Sequence, residues 1–252
     1  MFDKTEISPD TPMFEHIDAI NRSINRVRSS LKERVDIESL EDIAMIQGQV
    51  EIFFQAQLRR ALAFLDGGKH AMDAGHGLIA LTAIRCLYES AACIHDFCNH
   101  VIKLLDAGNI PDAVRLAHQR SLAQRFEVKE KNTDMYDYTA VNILKQIDAL
   151  DKVVPGARRD YEQLSEFVHP NAHGAVYYFM QPGADNIVQF GTPTDERTQT
   201  MGLFLAGASL FSLIDSDLWR FTSSMLGLLG DTLQRRIDDY EARKKASDEP
   251  TL

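Results

Sequence analysis

Cysteine is scarce in this chain, and its three copies, Cys86, Cys93 and Cys98, fall in one stretch. A single helix keeps side chains at those spacings from bridging one another. A disulfide framework is therefore excluded, and the three read as reduced, buried small hydrophobes of a cytosolic protein. Long hydrophobic runs are also missing. The longest uncharged one, residues 201–214, is too short to span a bilayer and is followed by Asp215 and Asp217, so no membrane association is expected. The first residues, MFDKTEISPDTP, carry acids and a proline where a signal peptide needs basic residues and an apolar run, and the expected location is cytoplasmic. Positive charge is in short supply, with 27 Lys and Arg against 37 Asp and Glu and a formal net charge of -10. That balance argues against a surface that tracks nucleic acid throughout, and leaves room only for a local basic patch. Absent too are G-x-S-x-G, G-x-x-x-x-G-K, G-x-G-x-x-G, H-E-x-x-H and paired C-x-x-C. Hydrolase, nucleotide and dinucleotide readings thus have no support, and no cofactor or metal is expected.

What is present is helical period almost from end to end. Residues 1–10 read as a loose arm. Thr11 and Pro12 then open a helix with Met13, Ile17, Ile20, Ile24, Val27 and Leu31 on one face. Ser39 with Asp42 caps a second helix, which Gly67 and Gly68 are expected to stop. The stretch 76–105 follows, apolar on all faces, and a helix of that kind belongs inside a bundle. Further helices are expected from Pro111 to about Lys129, from Tyr138 to Leu150 and from Ala157 to Val168. The period then changes to that of a small β-hairpin near residues 175–191, which should lie against the bundle or pair with another copy. Helical period returns from Asp195 to about Lys244, with small residues from Ala206 to Ser212 allowing close helix approach. The fold class is therefore mainly all-α. A single bundle of six to seven helices occupies residues 11–244, with one hairpin insertion and a disordered tail at 245–252.

Chemistry concentrates in two places. Between Gly77 and Ile94 the only formal charges are Arg85 and Glu89, four apart and so on one face, where they can pair or aim at a shared group. Charges are seldom buried without partners. The second place is YEQLSEFVHPNAHG, residues 161–174, where His169, Asn171 and His173 gather at a helix end that leads into a strand. The bland alternatives are a structural ion pair for Arg85 and Glu89, and a helix stop for His169-Pro170-Asn171. Arg115, His118, Arg120, Arg125 and Lys129 make the most basic local stretch, which is either a solvated face or a contact surface for an anion or RNA. Asp96 and His100, four apart, with His169 and His173 form a weaker metal option.

A long apolar helix carrying R-x-x-x-E, followed later by a helix ending L-S-E-F-V-H-P-N, resembles a group of uncharacterised bacterial helical proteins. More distantly, it is similar to the HEPN superfamily, whose members include nucleases of toxin and defence systems. The resemblance spans residues 75–175. It implies a helical bundle, a tendency to form homodimers, and His169 as the position to watch. Catalytic members carry an arginine followed after four to six residues by a histidine. This chain departs from that pattern, with Arg159 ten positions before His169 and Arg115 three before His118.

Three functions follow as expectations. One is a metal-independent ribonuclease or RNA-binding protein of a stress or defence system. In it His169 or His173 exchanges the proton of a 2'-hydroxyl, Arg85 meets the phosphate, and Glu89 orients one of them. Another is a non-catalytic helical module that binds a protein partner or a second copy of itself. The last is a receptor with an apolar pocket lined by Tyr88, Tyr161 and Phe167.

Overall fold

The computed structural model describes residues 1–35, 42–123, 139–183, 187–191 and 196–248. Among these residues the chain forms seven α-helices and one two-stranded hairpin. In order they are α1 (Ile17–Ser29), α2 (Asp42–Asp73), α3 (Gly77–Asp106), α4 (Ile110–Leu122), α5 (Ile143–Asp151), α6 (Ala157–Val168), β1 (Met180–Pro182), β2 (Val188–Phe190) and α7 (Glu196–Asp248).

The apolar stretch expected at the centre is there. α3 packs on α7, α2, α4, α5 and α6, and Ile84, Leu87, Ala91, Ile94, Phe97 and Val101 are buried in a core shared by all seven helices. Ring contacts tie α2 to both neighbours, with Phe53 4.0 Å from Phe97 and Phe54 5.3 Å from Phe221 between centroids. α3 and α7 run parallel. The methyl of Ile84 faces Gly207, His95 bonds Asp217, Asn99 bonds Arg220, and Asp106 accepts from the Ser224 hydroxyl at 2.9 Å. α1 lies along another face of α7, with Ser23 3.1 Å from Ser212 and Arg26 bridged to Asp215 at 2.7 Å. Stretches of α3 and α7 are long and apolar enough to cross a bilayer by length and composition, which the single run at 201–214 did not reveal. In the bundle 56% and 50% of those stretches are buried.

Five expectations change. The first ten residues are not a loose arm: Phe2 and Ile7 are buried, Phe2 exchanges two hydrogen bonds with the Asn21 amide, and its ring meets Phe204 at 5.7 Å. The first helix begins at Ile17, because Pro12 is seated against Gly202 and Met13 takes a left-handed conformation (φ 70°) that interrupts the helical path. Gly67 and Gly68 do not stop α2. Gly68 instead lets Phe204 and Ala83 approach, and packing overrides weak propensity until Gly75, at φ 78°, turns the chain. Finally, most of the expected first strand is helical: Ala172–Tyr177 forms a π-helical turn, leaving a hairpin of three residue pairs, Met180–Phe190, Gln181–Gln189 and Pro182–Val188. The Ser39 cap lies outside the described residues. α7 runs to Asp248, into the stretch expected to be a disordered tail.

Candidate functional site

Arg85 and Glu89 do share a face of α3, and that face looks at α6. The Glu89 carboxylate is the hub. Its Oε1 accepts from the Tyr161 hydroxyl at 3.1 Å and is ion-paired with Arg85 Nη2 at 3.3 Å, and its Oε2 accepts from Arg60 Nη2 of α2 at 3.3 Å. Arg85 Nη2 also donates to the Tyr161 oxygen at 2.8 Å, so that hydroxyl accepts from the arginine and passes its own proton toward the carboxylate. Arg85 Nε donates to Ser165 Oγ at 3.0 Å, and that hydroxyl turns back to the Tyr161 carbonyl. Arg60 is held further by the Ser90 hydroxyl and by stacking on Phe64, 4.9 Å from the ring centre. One carboxylate between two guanidiniums is a satisfied arrangement with excess positive charge, and half-burial strengthens each bond. Of the five N–H groups of Arg85, those on Nη1 have no partner among the described residues.

Burial, and then the Glu89 charge, push the Tyr161 phenol above its usual range, which keeps it a proton donor. Tyr88, one turn away, donates to Asp160 at 3.3 Å and is raised by burial and by that carboxylate.

The HPN turn closes α6. Pro170 forces His169 into an extended conformation (ψ 144°) while its N–H still bonds the Ser165 carbonyl at 3.0 Å. Asn171 is spent on the turn: its Oδ1 accepts from Gly174 N–H at 3.0 Å and its Nδ2 donates to Glu166 at 2.6 Å. It therefore shapes the loop, with both amide atoms already engaged in the turn. At Gly174 a side chain would collide with the His169 and Phe167 carbonyls, so the chain can fold back only through glycine. What remains is the His169 imidazole, exposed and without a hydrogen-bond partner among the described residues. The His173 side chain lies outside the described residues.

These pieces meet. Arg85, Tyr161, Ser165 and His169 line one open cleft of about 690 Å³, together with Arg158, Arg159 and Glu162. Arg158 is clasped at 2.6 Å by both Asp148 and Glu162, whereas Arg159 stands out in solvent beside Asp160. The cleft is thus wet and mixed in charge. It differs from the expected apolar receptor pocket because Tyr88 and the body of Tyr161 are core residues.

The basic helix is reassigned in part. Arg120 turns inward to Asp96 at 2.9 Å with only 14% of its side chain exposed, and Arg115 is paired with Asp112 at 2.6 Å. His118 is half-buried, and Arg125 and Lys129 lie outside the described residues. Asp96 also takes a bond from Gln146, so it ties α3 to α4 and α5. Among the described residues, no three His, Cys, Asp or Glu side chains gather where they could hold a metal ion.

Sequence reasoning missed one polar cluster altogether. His95 is buried against Asp217 with Nδ1 2.9 Å from Oδ2. Arg220 donates to Asp217 Oδ1 and to Asn99 Oδ1, both at 2.9 Å. Arginine only donates, so the Asn99 amide must present its oxygen there and its Nδ2 to His95 Nε2, 2.9 Å away. His95 Nε2 is then the acceptor and Nδ1 carries the proton toward Asp217. Both ring nitrogens are occupied, which makes this dyad a strut between α3 and α7. The signal in the sequence was the pair Asp215 and Asp217 directly after an apolar run.

Comparison with protein-family models, with curated proteins and with solved structures finds no match to this chain.

Proposed function

We propose that the cleft between α3 and α6 handles RNA, and that this protein is a metal-independent ribonuclease or RNA-binding protein of HEPN-like kind. The observation that carries the reading is the shared cleft: the Nη1 group of Arg85 and the imidazole of His169, both unclaimed among the described residues, belong to side chains lining one solvent-filled space. An arginine fixed by Tyr161, Ser165 and Glu89 is a preorganised phosphate partner, and an imidazole with an unclaimed ring nitrogen can accept a proton from a bound hydroxyl. In the proposed reaction the 2'-hydroxyl proton passes to His169 as the 2'-oxygen attacks phosphorus. The bond to the 5'-oxygen breaks, that oxygen takes a proton from water, and the phosphate remains as a 2',3'-cyclic ester. Glu89 positions Arg85, and Asn171 positions His169 through the turn.

The test is cleavage of a mixed RNA pool in the presence of EDTA, with wild type and His169→Ala confirmed to melt alike. The expected result is cyclic-phosphate ends from wild type and a rate lower by about 100-fold or more in the variant. Equal cleavage by both proteins removes His169 from the reaction. Neither cleavage nor RNA binding by wild type sinks the reading. A second reading is favoured by size: about 690 Å³ is the scale of a small-molecule site, and a receptor would show a ligand-dependent rise in melting temperature with mononucleotides and no cleavage.

A further inference from the structure

The Glu89 carboxylate has a second side. Its Oε2 holds Arg60 of α2, and that pair borders another cleft, about 500 Å³ in volume, between α2, α3 and the start of α5. The groups around it are of a different kind. Gln57 is half-buried, and its side-chain amide has no hydrogen-bond partner among the described residues. Gln146 is only 5% exposed; its Nε2 reaches Asp96 at a long 3.4 Å, and its Oε1 accepts from no described group. Arg60 gives Nη1 to Ser90 and the Cys86 carbonyl and Nη2 to Glu89, which leaves its Nε proton unclaimed among the described residues. Val141 and Ile143 add apolar wall. A buried amide oxygen without a donor is costly, and a ligand that supplies an N–H recovers the loss.

We propose that this second cleft takes an unpaired nucleobase. Charge selects against an anion: Arg60 is already matched by Glu89, so a phosphate or carboxylate would meet that carboxylate as well as the guanidinium. What remains is a set of neutral amides and one N–H between apolar side chains. The edge of a base offers the same mixture of donors and acceptors, and its faces suit the apolar walls. The volume lies within the range of small-molecule sites, about 300–1,000 Å³. Position makes the same choice, and here the inference rests on the reading of the α3–α6 cleft as the RNA site. Arg85 and Arg60 each stand 3.3 Å from a different oxygen of Glu89, and the first turn of α5 borders both clefts, with Leu144 on the first and Asn142 and Ile143 on the second. A phosphate at Arg85 and a base beside Arg60 are thus within the reach of one nucleotide. Duplex RNA keeps its bases stacked and paired, so the substrate class is a single strand with a base turned out.

The four ribonucleosides, which carry no phosphate, are titrated into the full-length protein and followed by ligand-observed NMR, with wild type, Gln57→Ala, Val141→Trp and His169→Ala. Gln57 is half-buried and Val141 exposed, so each of those variants should melt like wild type. The expected result is that at least one nucleoside binds wild type and His169→Ala equally. It binds Gln57→Ala about tenfold more weakly and does not bind Val141→Trp, whose indole fills the cleft. No nucleoside bound by wild type overturns the proposal. Binding that Val141→Trp leaves intact overturns it too, because the base then sits elsewhere. The RNA reading is measured separately, by cleavage and binding of RNA strands. RNA cut by a protein that binds no nucleoside keeps the first cleft and loses the second, whereas nucleoside binding with no RNA cut or bound keeps the second and loses the first.

Discussion

Arg85 is where the chain concentrates its polar chemistry, and its partners decide what substitutions will do. Glu89→Ala would leave two half-buried guanidiniums facing each other across α3. The expected loss is about 2–3 kcal/mol in urea unfolding, the cost of breaking a charged, partly desolvated bond network. Tyr161→Phe removes one hydroxyl that serves both ions and should cost about 1–2 kcal/mol by the same measurement. The pair itself was legible: two charges four apart in an apolar helix had to share a face and find company. Tyr161 and Ser165 were not legible as its company, because nothing in the spacing of α3 says which helix will lie over it. The thiols give a test in pH. Burial lifts Cys98 from 9.0 to about 12, with the Asp217 charge adding to it, and burial raises Cys86 and Cys93 as well. A thiol whose folded-state value lies above its unfolded one stabilises the fold below about pH 9, and that contribution is lost as pH climbs toward about 12. At about pH 8 the native protein should therefore react with a disulfide reagent far more slowly at Cys98 than the unfolded chain does. Fast labelling of Cys98 in the native state would contradict its burial.

Helices here are built by contact more than by propensity, and the glycines separate the two effects. Gly207 sits where an added methyl would lie 2.6 Å from the Ile84 side chain, so Gly207→Ala should destabilise by about 1–3 kcal/mol. Gly227, also inside α7, has open space around it, and Gly227→Ala should raise stability by about 0.5–1 kcal/mol through helix propensity and a less free unfolded chain. Opposite signs for one substitution in one helix, read by chemical denaturation, would verify the close approach of α3 and α7. The small-residue zone from Ala206 to Ser212 announced this approach in the sequence, although not its partner. The glycine pair at 67 and 68 misled, because local propensity is a weak prior beside the packing of Gly68 against Phe204. The hairpin was legible in position and over-long in extent: Asn171 and Gly174 tighten the turn after α6 into a π-helical coil before any strand can start.

At the scale of the molecule, the all-helical class followed from periodicity, and the central place of α3 followed from its lack of a polar face. The surface charge was harder to read. A run of arginines reads as either a solvated face or a track for nucleic acid, and in the fold Arg120 turns inward to Asp96 while Arg115 stays exposed in a surface pair with Asp112. RNA binding through the cleft would then use few cations, chiefly Arg85 and Arg159. The logarithm of affinity against the logarithm of salt should fall with a slope of about -1 to -2 for a single strand, where five engaged cations would give about -3.5. A steep slope would move RNA binding away from the cleft.

The parallel pairing of α3 with α7 also sets an order in time. His95 meets Asp217, which is made 122 residues later, and Arg26 meets Asp215 across 189. At the pace of synthesis, about 5–20 residues per second, the face that α3 keeps for α7 waits between about 6 and about 24 seconds for its cover. During that interval the ribosome-bound chain shows its most apolar helix to the cell, and a chaperone that binds such surfaces would find it there first.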